Sequence, residues 1–242
     1  MGATVNDISI IRSGTTLRDP EAWTLQNDHE KHREWEQFLR TYSLATVTLV
    51  KTDGLNILID TAWEPFETEA NRLVLELQYH GLKPSDIDEI FITHWHGDHF
   101  LNIPLFPQAR IVYGGSSPRE VRTRMASIPA DNETIKLEEG EDWHSGLSII
   151  DTAGHSDHDH SVLINYKKKV FVVAGDSIVS KMYYHTETFF PNQRMEKHIE
   201  QLKDSFQRII DVADFIIPGH DGPFYNYKKA QSDSILGQGA DL

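Results

Sequence analysis

The sequence has no cysteine, no long apolar run and a shortage of positive charge, and each absence removes a class of protein. Without one cysteine in 242 residues, disulfides and thiolate ligands are both excluded. Any metal must then be held by imidazole and carboxylate, a donor set that suits zinc, iron or manganese. No apolar run approaches the length that spans a bilayer. The opening residues, MGATVNDISI, lack the basic and apolar segments of a secretory leader. Myristoylation after Gly2 is also rejected, because Asn6 stands where Ser or Thr is wanted. The expectation is a soluble intracellular protein, cytosolic or nuclear, with no membrane partner. Lys and Arg number 23 against 37 Asp and Glu, a formal net charge of −14. Such a surface repels phosphate and disfavours sequence-independent nucleic-acid binding, although a local basic patch could override the average.

Hydrophobic content of 39% and charged content of 25% are those of an ordinary globular chain, long enough to bury a core without staples. Strand-like and helix-like stretches alternate. ATVTLVKTDGLNILIDTA (Ala45 to Ala62) reads as two β runs around Asp53-Gly54, a strong hairpin signal. EPFETEANRLVLELQYHG follows as a helix, with Pro65 in its first turn, Gly81 as its C-terminal cap, and Phe66, Ala70, Leu73 and Leu77 on one face. IDEIFITH, ARIVYGG, LSIIDTAGH, KKVFVVAGD and FIIPGH each read as a short strand. RMEKHIEQLKDSFQRIIDVAD is a second helix, with Met195, Ile199, Leu202, Phe206 and Ile209 on one face. No linker interrupts the pattern, so one layered α/β domain over residues 1–242 is expected.

Four of those strands end in metal-competent residues. The first delivers His94, His96, Asp98 and His99 within six positions; the others deliver His155, Asp176 and His220. With 13 His and 20 Asp in the chain, the pattern H-x-H-x-D-H would arise by accident in roughly a few chains per thousand. Its recurrence as GH and GD behind three further strands lowers that again. Five imidazoles and two carboxylates suit Zn²⁺, and divide into two sets of three with one shared group. An aspartate is the natural shared group, because it has two oxygens and a negative charge to set against two cations. A pair of cations ~3.5–4 Å apart would lower the pKa of a water towards ~7 and polarise a scissile group. Asp98 could in addition orient that water.

THWHGDH, followed in order by GH, AGD and PGH, resembles the metallo-β-lactamase superfamily from about Leu44 to Phe224. The resemblance implies a four-layer αβ/βα sandwich with a metal centre at one edge. It implies His94, His96 and His155 on one zinc, Asp98, His99 and His220 on the other, and Asp176 between them, with iron or manganese as alternatives. It also implies that Asp60, in ILIDTA, supports the ligands from behind. His96 departs from the glutamate of flavodiiron proteins, and the absence of cysteine excludes the cysteine-ligated β-lactamases. THWHGDHFLNIPLFPQA, VFVVAGD and VADFIIPGHDGPF resemble the animal metallo-β-lactamase domain-containing protein 1 type. That resemblance implies a phosphodiesterase or endoribonuclease acting on RNA, in 3′-end cleavage of histone pre-mRNA. Two other activities remain open on this fold: hydrolysis of a small thioester, ester or lactone, as in glyoxalase II, and iron-dependent persulfide oxidation. A non-enzymatic metal-binding scaffold is the alternative from another class, against which the complete ligand set argues.

Around the third histidine the text is TAGHSDHDHS where many relatives read TPGHTPGS. His158 and His160 are read there as exposed polar loop residues, with substrate contact or proton donation as the alternative. The polar stretch Glu21 to Tyr42 carries Trp23, Trp35 and Phe38; it reads as an excursion docked on the sheet or on a second copy of the chain, or else as a lid. Arg119, Arg122 and Arg124 are either an anion-binding group or an exposed face. YKKK, Tyr166 to Lys169, reads as a solvated hairpin tip.

Overall fold

The computed structural model describes residues 5–16, 43–63, 71–116, 132–189 and 196–229. Two sheets face each other. The first has six strands in sequence order: β1 (Asp7–Arg12), β2 (Val47–Thr52), β3 (Leu55–Ile59), β4 (Glu89–Ile92), β5 (Arg110–Tyr113) and β6 (Thr134–Lys136). The second runs β11 (Phe224–Tyr225), β10 (Phe215–Pro218), β9 (Lys169–Gly175), β8 (His160–Tyr166) and β7 (Leu147–Asp151). Side-chain alternation along the strands sorts apolar residues onto two faces of each sheet. Val50, Ile57, Ile59, Phe91 and Val112 from one sheet meet Ile149, Val162, Ile164, Val173 and Ile217 from the other, making the inner core. The opposite faces are covered by helices. Leu73 and Leu77 of α1 (Arg72–Tyr79) and Phe100 of α2 (Gly97–Phe100) pack on Leu49, Leu58, Ile90 and Ile111. Tyr184 of α3 (Lys181–Thr186) and Phe206, Ile209 and Ile210 of α4 (Glu196–Val212) pack on Val172, Ala174 and Ile216. The result is the four-layer αβ/βα sandwich. Among the described residues no helix is long and apolar enough to cross a membrane.

Local chemistry explains the elements. Asp53 and Gly54 both have positive φ, 52° and 80°, the geometry of the two-residue turn that joins right-twisted strands, and β2 and β3 pair antiparallel across it. Lys167 and Lys168 form a turn of the same kind, with φ of 48° and 64°, between the paired strand ends Tyr166 and Lys169. Helix α1 is capped by Asn71, whose side chain accepts from Leu73 N, and it ends before Gly81 at φ 73°. It therefore begins at Arg72, beyond the expected Pro65; Pro65, Phe66 and Ala70 lie outside the described residues, as does Met195. Leu202, Phe206 and Ile209 of the second helical stripe are buried as their spacing requires.

Strand direction gathers the ligands. Strands β3, β4 and β5 are mutually parallel. In the other sheet β9 and β10 are parallel, and β7 runs with them because β8 is antiparallel to both β7 and β9. The C-terminal ends of β3, β4, β7, β9 and β10 consequently open at one edge of the sandwich, where Asp60, the His94–His99 loop, His155, Asp176 and His220 lie.

Candidate metal centre

The structure brings together all seven residues that the sequence offers as candidate ligands. His94, His96, His155 and Asp176 form one group and Asp98, His99 and His220 another, with ligand atoms within 4.8 Å of each other inside each group. Asp176 stands between the groups. Its Oδ2 lies 3.3 Å from His155 Nε2 and 3.9 Å from His94 Nε2, whereas its Oδ1 lies 3.2 Å from His220 Nε2 and 3.3 Å from His99 Nε2. His96 presents Nδ1, 2.9 Å from His155 Nε2, and Asp98 Oδ2 is 3.4 Å from His220 Nε2. His94, His99, His155, His220 and Asp176 are buried; only His96 and Asp98 reach the surface, which makes their side the mouth.

Whether a cation fits is answered by the orphaned atoms. His94 Nε2, His99 Nε2 and Asp176 Oδ1 are buried with no hydrogen-bond partner among the described residues. An unpaired buried polar atom typically costs about 1–3 kcal/mol. His99 Nε2 and Asp176 Oδ1 lie 3.3 Å apart on the side of one group and His94 Nε2 lies in the other, so the orphaned atoms of both groups are ones that cations would satisfy. The two histidines are backed by Asp60 and Thr93. Asp60 Oδ1 accepts from Thr93 N at 2.9 Å, and Oδ2 accepts from Thr93 Oγ1 at 2.8 Å and faces His99 Nδ1 at 2.8 Å. Because Thr93 Oγ1 spends its proton on Asp60, it receives one from His94 Nδ1, 3.2 Å away. Both rings therefore carry the proton on Nδ1 and turn Nε2 inwards. His220 Nδ1 donates likewise to Leu44 O at 3.0 Å. Asp60 itself adopts φ 60°, a left-handed conformation that aspartate tolerates better than most residues. Replacing Asp60 by alanine is expected to lower affinity for a divalent cation ~10–100-fold, read by competition with a chromophoric chelator.

The electrostatics divide the site. Burial, with His99 and His96 nearby, holds His94 well below the usual imidazole range, and burial beside His155 lowers His96 to about 4. Burial opposes the charged form of His99 and His220 too, but Asp176, with Asp60 or Asp98, outweighs it and raises both. Burial alone would raise Asp176; His220, His99 and His155 around it hold it well below the carboxylate range instead. The protonated form is thus favoured on the side where Asp176 Oδ1 points, and a cation bound there would compete with those protons.

Thr93 and Gly219 carry roles that sequence reasoning missed. A side-chain carbon on Gly219 would lie 2.1 Å from Asp176 Oδ1 and 2.9 Å from the Gly175 carbonyl, so only glycine lets Asp176 sit between the groups. Thr93 directly precedes the cluster, but no local spacing ties it to Asp60, 33 residues earlier.

The loop after β7 corrects one expectation. His158 is half-buried and His160 buried, not exposed. β8 begins at His160, whose backbone N donates to Thr93 O at 3.0 Å and whose ring lies against Gly114, where a side-chain carbon would approach within 2.3 Å. The glycine pair after β5 is therefore room for imidazoles. Ser116 Oγ lies 2.9 Å from His158 Nε2, and Trp95 Nε1 donates to Ser116 O at 3.0 Å. Between these histidines Asp159 is buried, and its carboxylate closes a turn by accepting from Ser156 N at 2.6 Å and Ser156 Oγ at 2.7 Å. Burial pushes its pKa up to about 6 from 3.8. The folded chain then binds a proton more tightly than the unfolded one. This group's stabilisation is complete below pH 3.8 and is lost as pH rises through about 6. The difference is ~3 kcal/mol, and urea midpoints of the metal-free chain at pH 5 and 7 should show that dependence flattened in Asp159→Asn. The stretch Glu21 to Tyr42, and Arg119, Arg122 and Arg124, lie outside the described residues.

An edge of this kind, on a double sheet, defines a metal-dependent hydrolase. The family follows from comparison: the profile of the metallo-β-lactamase superfamily matches residues 40–220, and the chain belongs to that superfamily. Metallo-β-lactamase domain-containing protein 1 of Xenopus laevis is 32% identical over 191 residues, covering 77% of this chain and 74% of the frog protein. An N-acyl homoserine lactonase of Bacillus cereus is 28% identical over 165 residues, covering 65% of each. Among solved structures, a probable metal-dependent hydrolase from Staphylococcus aureus superposes with a TM-score of 0.67 at 17% identity, covering 91% of both chains.

Proposed function

We propose that this chain is a two-zinc phosphodiesterase whose substrate is RNA. The observation that carries the two-cation reading is the division of Asp176, one oxygen towards His94 and His155 and the other towards His99 and His220. His94, His96 and His155 would hold one cation, Asp98, His99 and His220 the second, and Asp176 both. Imidazole and carboxylate are compatible with zinc, the metal proposed, and equally with iron or manganese as the alternatives. When bound, two such cations supply Lewis acidity to a scissile group and bring the pKa of water towards neutrality.

The chain's own residues do the rest. Asp98, whose side chain is 30% exposed at the mouth, accepts a hydrogen bond from the attacking water at its carboxylate and aims it. Asp60 and Thr93 keep the His94 and His99 rings from turning away. The buried walls, with Trp95 and Phe100 in edge-to-face contact beside the cluster, exclude bulk water from its inner side.

RNA as substrate rests on the resemblance to the metallo-β-lactamase domain-containing protein 1 type, and would place the protein in the nucleus or cytoplasm. A second reading is a small ester or lactone, favoured by the lactonase relative and by the net charge of −14, which repels a polyanion. Zinc-loaded protein assayed side by side on single-stranded RNA, bis-p-nitrophenyl phosphate, an acyl lactone and a glutathione thioester separates the two. Turnover of the first pair supports the phosphodiesterase; turnover confined to the second pair replaces it. One tightly held iron per chain with persulfide oxidation would replace both.

A further inference from the structure

Helix α4 lies along the β7–β8 loop and touches it at successive turns, in antiparallel order. Arg208 Nη1 donates to Asp151 O at 2.6 Å and Ser205 Oγ donates to Ala153 O at 2.7 Å. Leu202 meets Gly154, where a side-chain carbon would fall 2.6 Å from the Leu202 backbone. His198, buried in the first turn of the helix, has Nε2 3.6 Å from Asp157 Oδ1. The helix residues 198, 202, 205 and 208 share one face at helical spacing, so a single surface grips the loop from 151 to 157. His155 lies inside that span. It presents Nε2 to Asp176 Oδ2 at 3.3 Å and to His96 Nδ1 at 2.9 Å, although it stands on a loop and not on a strand.

The other side of the loop is braced as well. Ser177 Oγ, one residue after Asp176, donates to Thr152 O at 2.8 Å, and Thr152 Oγ1 pairs with Ser161 Oγ at 2.9 Å. Gly154 is required twice, for the contact with Leu202 and for its φ of 143°, a conformation that side chains avoid. The loop that carries His155 is therefore held between the helix on one side and Ser177 and Ser161 on the other.

We propose that α4 is the positioning element for His155, with Ser205 its central positioning residue: the Ser205–Ala153 hydrogen bond and the Leu202–Gly154 contact fix where the third imidazole of the His94, His96 and His155 group stands. The inference rests on the metal-centre reading above. It predicts an asymmetric defect, because Asp98, His99 and His220 are borne by other elements that α4 does not grip.

Cobalt(II) titration of the full chain, read by visible absorption and by cations bound per chain, tests this. Ser205→Ala is expected to weaken one of two binding events ~10-fold and leave the second within about twofold of wild type. Ser205→Thr, which keeps the hydroxyl, is expected to restore the first event. Ile209→Val, a core change on the same helix that leaves the loop untouched, is expected to bind cobalt as wild type does. Should Ser205→Ala fail to fold, His198→Gln probes the other end of the grip with the same expected asymmetry. Unchanged affinities in Ser205→Ala, or an equal loss in Ile209→Val, would overturn the inference while leaving the two-cation reading standing. A wild-type chain that takes up no cobalt would overturn both.

Discussion

Replacing Asp176 by alanine is expected to abolish turnover and leave the chain with one tightly held cation at most. The loss should be on the order of 10³-fold or more, ~4 kcal/mol of transition-state stabilisation, because one side chain serves both ligand groups. Its oxygens lie 3.2–3.9 Å from four imidazole nitrogens, two on each side. Asp176→Asn separates charge from shape: it keeps the volume and removes the negative charge that faces His220, His99 and His155. The metal-free alanine variant is also expected to be less stable near neutral pH, since the buried interactions of Asp176 with His99 and His220 are lost and burial then drives both imidazoles to the neutral form. Metal analysis and turnover of the purified variants measure both effects. Wild-type turnover in Asp176→Ala would refute the shared-ligand scheme.

The second large effect is expected from a methyl group. Gly219→Ala would put a carbon 2.1 Å from Asp176 Oδ1, far inside contact distance. The backbone cannot retreat, because Gly219 N donates to Gly175 O at 2.9 Å and Ile178 O at 3.1 Å while Gly219 O accepts from Thr46 N at 2.7 Å. Asp176 must swing away. Overpacking of this kind costs about 1–3 kcal/mol of stability, and a ligand displaced by ~1 Å costs ~10²-fold in rate. Gly222→Ala, three residues on, meets nothing closer than Ser13 Oγ at 3.4 Å and is expected to be near wild type in both. Thermal midpoints and kcat of the two variants, side by side, measure the contrast; equal behaviour would remove Gly219 from the argument.

The clustering of these side chains was legible in the sequence because each group follows an apolar run: a strand that must be buried carries its terminal polar residues to an edge. His94 after IFIT and Asp176 after VFVVAG are of this kind. What the sequence could not supply was pairing direction. That β7, β9 and β10 open at the same edge depends on β8, whose first residue, His160, reads with His158 as part of a polar loop. Their packing depends on Gly114 and Gly115, which follow β5 of the other sheet, and is invisible to local pattern. The edge strand β1 was likewise missed: DISIIR is only half-buried along most of its length and lacks clean alternation. Asp60 was legible through family resemblance; its partner Thr93 was not, since their bond joins the ends of two parallel neighbours. The N-terminal end of α1 was misplaced because Pro65 offered a start signal in competition with Asn71, the residue whose side chain caps the helix.

Crystals of the full chain grown with zinc, with diffraction data collected on both sides of the zinc absorption edge, test the central claim most directly. Two anomalous peaks per chain are expected, ~3.5–4 Å apart, one on each side of the Asp176 carboxylate. A single peak, or peaks away from that carboxylate, would contradict it.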